Sequence, residues 1–312
     1  MIAARLLRSA VLTLAALLPA ALAQAQPATY YAGVVQHPPT SIPATQVVAR
    51  YTLPRMSGGV NDFSGIATRD GVNIIMVSDH GYLVRGRLQR GYGQSIDGME
   101  LRQFVPLLDE NGQPLGAGMR DAEGVSIGRD GAIYVAFEEH NRVLRYARAG
   151  GPAQDLGVHR DFSRLRAGRG LESVAVAPDG RVYSIPERAA RATYGFPSYV
   201  WRNGAGWDGA FRLPSDGQFL PVGADFGPDG RLYVLEREYS ARGYRSQVRR
   251  FSVNGQGISE GQWVMRSEVG QFGNLEGLAV FRDWGGRIRL LMVSDDDRGR
   301  GPSELIDVVV NR

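Results

Sequence analysis

The chain has 312 residues, no cysteine and a formal net charge of +4, from 36 basic against 32 acidic residues. Without cysteine there are no disulfides, no thiolate chemistry and no lipidated anchor, so stability must come from a packed core. Every basic residue is arginine; the absence of lysine excludes Schiff-base and P-loop chemistry, and the arginines form no block of the kind that binds nucleic acid.

Residues 1–25 read as a signal peptide. Arg5 and Arg8 precede an apolar run from Ala10 to Leu22, and two A-x-A patterns follow, Ala21-Leu22-Ala23 and Ala23-Gln24-Ala25. The run is short for a membrane span. The expectation is therefore an exported protein, periplasmic or secreted, with no spanning segment. Residues 26–45 form a Pro-rich arm in which His37-Pro38-Pro39 cannot be helical. Residues 46–312 read as one domain.

Gln46–Leu53 alternates like a strand. After it a unit recurs, clearest in Leu171–Arg188. There Glu172 opens an alternating run, Pro178-Asp179-Gly180 makes a turn, and a second apolar run ends at Glu187. This is the pattern of an antiparallel hairpin, and folding at the turn brings both carboxylates to its open end. In chain order the unit runs from Asp62-Phe63-Ser64-Gly65 to Asp79, then from Asp121-Ala122-Glu123-Gly124 to Glu138. It returns from Glu172 to Glu187, from Val222 to Glu236, and from Asn274-Leu275-Glu276-Gly277 to Asp295. Each of the first four units is followed by two further strand-like runs, such as Tyr82–Leu88 and Met99–Leu107 after the first. The fifth has only Glu304–Val310.

Repeats at a spacing of about 50 residues are the signature of a propeller. No long stretch has helical periodicity, and 41 glycines with 16 prolines suit a turn-rich chain. The fold class expected is all-β: a β-propeller of five four-stranded blades, or six if a degenerate blade hides in Gln26–Leu53 or a long connection. Gln46–Leu53 would supply the missing outer strand beside Glu304–Val310, closing the ring and removing an exposed edge.

In a propeller the first strand of each blade lines the central channel. The hairpin ends then collect Asp62, Asp79, Asp121, Glu123, Glu138, Glu172, Glu187, Glu236, Glu276 and Asp295 on one rim. So many carboxylates cannot all ionise at close quarters without counter-charge, and a hard, oxygen-preferring cation such as Ca²⁺ answers that need. The expected metal ligands are Asp62, Asp79, Asp121, Glu123, Glu172, Glu236, Glu276 and Asp295, with Asp295-Asp296-Asp297 having the composition of a calcium loop. Glu138 or Glu187 would serve as base, and Arg188 and Arg237 would clamp phosphoryl oxygens. Two long connections, Ala189–Tyr199 with Tyr194, Phe196 and Tyr199, and Glu238–Ser246 with Arg242 and Arg245, would wall the mouth and contact an anionic substrate. The opposing reading makes the acids a structural network neutralised by arginine. Asp70, Asp130, Asp179 and Asp229 read as turn caps and are set aside. His80 and His140 follow rim acids as candidate proton donors, and no G-x-S-x-G nucleophile motif is present.

The motifs FSGIA at Phe63–Ala67, DAEGVS at Asp121–Ser126 and LESVAVAPDG at Leu171–Gly180 resemble the phytase-like family, the esterase-like-activity-of-phytase domain. So do LYVLER at Leu232–Arg237, NLEGLAV at Asn274–Val280 and MVSDDD at Met292–Asp297. The resemblance spans Gln46 to Val310. It implies a secreted or periplasmic propeller whose repeated Glu and Asp residues carry phosphoester hydrolysis. Calcium-dependent propeller phytases are similar in architecture and acid-rich chemistry. The chain departs from the pattern at Ser64 and Val222, where an acid is missing. The expected function is an exported, calcium-dependent phosphoesterase or esterase-like hydrolase acting on a small phosphorylated or other ester substrate. The alternatives are a non-catalytic propeller that binds a ligand or protein, and a lactonase-type propeller hydrolase.

Overall fold

The structure, a computed structural model, describes residues 46–54, 62–165, 170–187, 195–255, 257–295 and 301–310. Its first strand, β1 (Gln46–Thr52), belongs to the last blade. The first blade contains β2 (Phe63–Thr68), β3 (Asn73–Ser78), β4 (Tyr82–Arg90) and β5 (Ile96–Pro106). The second contains β6 (Ala122–Ile127), β7 (Ile133–Phe137), β8 (Arg142–Tyr146) and β9 (Ala153–Asp155). The third contains β10 (Leu171–Val176), β11 (Val182–Pro186), β12 (Phe196–Arg202) and β13 (Gly206–Leu213). In the fourth, β14 (Leu220–Phe226), β15 (Leu232–Ser240) and β16 (Gly243–Phe251) are followed by a small hairpin, β17 (Val253–Asn254) with β18 (Gly257–Ile258), before β19 (Gln262–Arg266) completes the sheet. The fifth contains β20 (Asn274–Arg282), β21 (Ile288–Asp295) and β22 (Glu304–Val309), and β1 is its outer strand.

Five four-stranded antiparallel blades thus make a β-propeller, as the repeats predict. The termini close it: Gln46 pairs with Val309 and Thr52 with Glu304, so Gln46–Leu53 completes the fifth blade and is not the remnant of a sixth. Side chains reinforce this seam. Arg50 Nε donates to Glu304 at 2.8 Å, and Asp307, fully buried in β22, accepts from Arg289 in β21 and from Arg90 of the first blade.

The inner hairpins turn where Asp-Gly or Pro-Asp-Gly stands, because the Asp side chain accepts from the backbone two residues on. Asp70 accepts from Val72, Asp130 from Ala132, Asp179 from Arg181 and Asp229 from Arg231. The apolar faces of adjacent sheets meet in five clusters, one at each blade interface. One such cluster joins Phe63, Ile66 and Met76 of the first blade to Phe281, Leu291 and Leu305 of the fifth.

The inner strands β2, β6, β10, β14 and β20 ring the axis, and their close packing has a sequence cause. A Cβ on Gly124 would lie 2.9 Å from Glu172 O, and one on Gly277 would lie 2.8 Å from Ile66 N. The glycines that follow the channel-facing residues therefore let one inner strand touch the backbone of the next. The space left on the axis is a cavity of about 10 Å³ lined by Ser64, Glu123, Val222 and Glu276, room for about one water. Among the described residues this cavity is too small for a ligand larger than water, which directs attention to the mouth of the channel.

Candidate active site

Each blade carries a one-residue β-bulge at the same place in its inner strand. The register slips between Phe63 and Gly65, Ala122 and Gly124, Leu171 and Ser173, Pro221 and Gly223, and Leu275 and Gly277. The extra residues are Ser64, Glu123, Glu172, Val222 and Glu276. A bulge frees its residue from the ladder and re-aims the side chain, which is how five sequence-equivalent positions come to face the axis. Two residues upstream of each bulge stand Asp62, Asp121, Gly170, Leu220 and Asn274. Opposite these, across the hairpin, stand Asp79, Glu138, Glu187, Arg237 and Asp295. The mouth is thus built of three rings of five positions, together carrying nine carboxylates and one guanidinium.

The fourth blade breaks the acid pattern in a way the sequence reading missed. Glu236 pairs with Pro221 and Arg237 with Leu220, so Arg237, not Glu236, occupies the ring of Asp79, Glu138, Glu187 and Asp295. Successive strand residues face opposite sides. Glu236 is turned away from the mouth and fully buried, where Arg249 donates to it through Nε at 2.6 Å and Gln247 through Nε2 at 2.9 Å. The expected metal ligand is instead half of a buried ion pair. A signal was available: Arg237 lies eight residues after Asp229, as Glu138 follows Asp130 and Glu187 follows Asp179, whereas Glu236 lies seven after it.

The acids divide into two environments. Arg237 holds one half: its guanidinium donates to Glu187 Oε1 at 3.2 Å, to Glu276 Oε1 and to Asn274 Oδ1. These contacts join the third, fourth and fifth blades and leave Arg237 only 16% exposed, so its N–H groups are largely committed to protein acceptors. In the other half, in the first and second blades, Asp79, Asp121, Glu123 and Glu138 make no ion pair with an arginine among the described residues. Asp62, Asp79 and His80 bring one ligand atom each within 4.8 Å of one another, and so do Asp121, Glu123 and Glu138. His80 Nε2 lies 2.8 Å from Asp62 Oδ2. Glu138 Oε1 accepts from Gly170 N at 3.1 Å, and the buried Asp79 Oδ1 has no hydrogen-bond partner among the described residues.

The electrostatics follow. Burial, then repulsion from Asp62, Asp295 and Asp121, pushes the Asp79 carboxyl up to about 8. Burial and neighbouring acids push Glu138 up to about 7 and Glu123 well above the usual range. Glu172 is also raised, by burial and by Glu138 and Glu187, with Arg237 opposing. Glu276 rises to about 7 through burial, moderated by Arg237. Among the described residues, Asp79, Glu123 and Glu138 have no ion pair to offset this crowding. An all-oxygen donor set with enclosed, unsatisfied acceptors fits a hard divalent cation.

Other expected residues fall elsewhere. Phe196 and Tyr199 lie in β12 and are buried between blades, so they do not wall the mouth. The Glu238–Ser246 connection is an extension of the β15–β16 ladder rather than a long loop: Glu238 pairs with Arg245 and Ser240 with Gly243. Arg242 is exposed at its tip, while Arg245 is paired with Glu238 and lies 5.2 Å from the Phe219 ring. His140 is exposed. Arg188, Tyr194, Asp296 and Asp297 lie outside the described residues.

The sequence from 58 to 298 matches the family described as phytase-like, esterase-like activity of phytase. The chain belongs to this family. Among solved structures, the phytase-like chain is similar to a gluconolactonase from Xanthomonas campestris, at 15% identity and a TM-score of 0.44, over 90% of this chain and 99% of that one. It is also similar to the PQQ-bound aldose sugar dehydrogenase of Streptomyces coelicolor, at 15% identity and a TM-score of 0.46, over 86% and 99%. An endo-arabinase from Bacteroides thetaiotaomicron aligns at 13% identity and a TM-score of 0.48, over 84% and 98%. No curated protein sequence matches the chain. Among the described residues no helix is long and apolar enough to cross a membrane.

Proposed function

We propose that this phytase-like propeller is an exported, calcium-dependent phosphoesterase whose reaction takes place at the acid-lined mouth of the channel. The observation that carries the reading is the acid group of the first and second blades: Asp79, Asp121, Glu123 and Glu138 crowd together with no ion pair to an arginine among the described residues. A bound calcium ion would supply that charge and polarise a phosphoryl oxygen toward attack by water.

The chain's own residues then divide the remaining work. Asp121, Glu123 and Glu138 would hold the cation. Glu187, its Oε1 fixed by Arg237, is the carboxylate we assign to take the proton of the attacking water. His80, 43% exposed on the rim and oriented by Asp62, would return a proton to the leaving oxygen. Arg242, at the tip of the extended hairpin, is free to meet an anionic substrate from solution. The signal-like pattern of residues 1–25 supports export to the periplasm or out of the cell.

Arg237 favours a second reading. Its contacts to Glu187, Glu276 and Asn274 are those of a structural network, as a propeller that only binds a ligand or partner would require. One experiment separates the two. Purified protein is stripped of metal, then assayed with and without added calcium on phosphomonoesters, phosphodiesters, phytate and lactones. Calcium-dependent release of phosphate supports the phosphoesterase. Turnover confined to lactones moves the chemistry to a lactonase, and calcium-independent melting with no turnover leaves the binding propeller.

A further inference from the structure

We infer that Arg237 is a built-in substitute for a second cation, so that the mouth takes a single divalent ion, held by Asp121, Glu123, Glu138 and Glu172, and none on the side of the fourth and fifth blades. The inference rests on the reading of the mouth as a metal site and specifies its occupancy.

The ring symmetry carries the argument first. Asp79, Glu138, Glu187, Arg237 and Asp295 occupy one equivalent position in the five blades, and only the fourth supplies a cation. The same blade has Val222 at the bulge and Leu220 two residues before it, so it contributes no acid to any of the three rings. An ion seated on that side would lose carboxylates and meet a fixed positive charge, which hard-cation sites avoid. Arg237 makes the contacts an ion would make there, bridging Glu187 of the third blade and Glu276 of the fifth.

The opposite side gathers carboxylates with no ion pair to an arginine among the described residues. Asp121, Glu123 and Glu138 present oxygens within 4.8 Å of one another. Glu172, 9% exposed in the adjacent blade, makes no hydrogen bond or ion pair among the described residues. Its nearest influences are Glu138, Glu187 and Arg237, so it sits at the boundary between the two halves. In the other triad Asp62 is engaged by His80, which leaves Asp121, Glu123, Glu138 and Glu172 as the all-oxygen set. Calcium prefers such a set of carboxylates from flexible side chains, and a guanidinium at the far edge fixes how many ions can enter.

The test counts ions without substrate. Metal-stripped protein is titrated with calcium by calorimetry and followed by thermal melting. One site per chain is expected. Glu123→Gln should abolish it, whereas Glu276→Gln, on the arginine side, should change affinity by less than about threefold. Arg237→Gln should raise the stoichiometry from one to two. If that variant folds only when calcium is added, rescue by the ion is itself the expected result. If it does not fold even with excess calcium, the contrast between Glu123→Gln and Glu276→Gln decides. Two sites in the unaltered protein, or a site lost in Glu276→Gln and kept in Glu123→Gln, overturns the inference. One ion bound without hydrolysis of any phosphoester leaves the inference standing and removes the catalytic reading. Two ions with hydrolysis does the reverse, and no calcium binding removes both.

Discussion

Glu236 and Arg237 are consecutive in β15 and serve opposite sides of the fourth blade: Glu236 is locked in a fully buried pair with Arg249, while Arg237 reaches the channel mouth to bridge Glu187 and Glu276. Two charges one residue apart therefore do unrelated jobs. The alternation of side chains along a strand is the whole reason.

Glu236 and Glu172 should consequently respond oppositely to the same substitution. Glu236→Gln leaves Arg249 buried without its counter-charge and should lower stability by about 3–5 kcal/mol with or without calcium. Glu172→Gln removes a repelling, unpaired carboxylate. Its metal-free melting temperature should stay level or rise, while calcium binding and hydrolysis are lost. Thermal melts of both variants, in chelator and in calcium, check this; a calcium-independent drop for Glu172→Gln would make it a structural residue.

The crowded acids set the pH dependence of the metal-free protein. Asp79 at about 8, and Glu138 and Glu276 at about 7, keep protons that the unfolded chain has already released. Because the folded state binds more protons between about pH 4 and pH 8, stability falls as pH rises through that window. The metal-free melting temperature should be higher at about pH 5 than at about pH 8.5, and calcium at the higher pH should restore it. A flat profile in chelator would contradict the electrostatics of the mouth.

Asp225 supplies a second, separable part of that slope. It lies further along β14, accepts from Val280 N at 2.8 Å across the blade interface, and is pushed up to about 7 by burial. Asp225→Asn keeps an acceptor for Val280 and removes the ionisation. At about pH 8 the variant should be more stable by about 2 kcal/mol, and at about pH 2, where the carboxyl is protonated in both states, the difference should vanish. Denaturant unfolding at the two pH values measures it. Equal effects at both would mean that the side-chain shape, not its charge, matters.

Ring closure depends on Asp307 as well as on the backbone of β1. Asp307 accepts from Arg289 at 2.9 Å within the fifth blade and pairs with Arg90 of the first, and all three side chains are buried. Asp307→Asn should lower stability by about 3–5 kcal/mol, with no change in calcium stoichiometry because the seam is separate from the mouth. Removing residues 46–52 should expose the β22 edge and give a chain that self-associates. Size-exclusion chromatography with melting reports both.

The propeller with five or six blades, the turns and the pairing of Gln46–Leu53 with Glu304–Val310 were legible in the sequence, and the seam of β1 with β22 fixes the number at five. Each rests on local physics: two-residue alternation, Asp-Gly turns, and an unpaired last hairpin that needs one more strand. Glu123, Glu172 and Glu276 were legible as equivalents because their common offset from a turn Asp counts residues along one hairpin. The register of the fourth blade was not read correctly, since a one-residue difference in offset reverses the face and moved Glu236 off the rim and Arg237 onto it. That Asp62 faces His80, that Arg237 spans two blade interfaces, and that the acids divide into a compensated and an uncompensated half were decided only by the tertiary structure. These are contacts between residues about 20 to 50 positions apart, fixed by how closely the glycine-bearing inner strands pack around the axis.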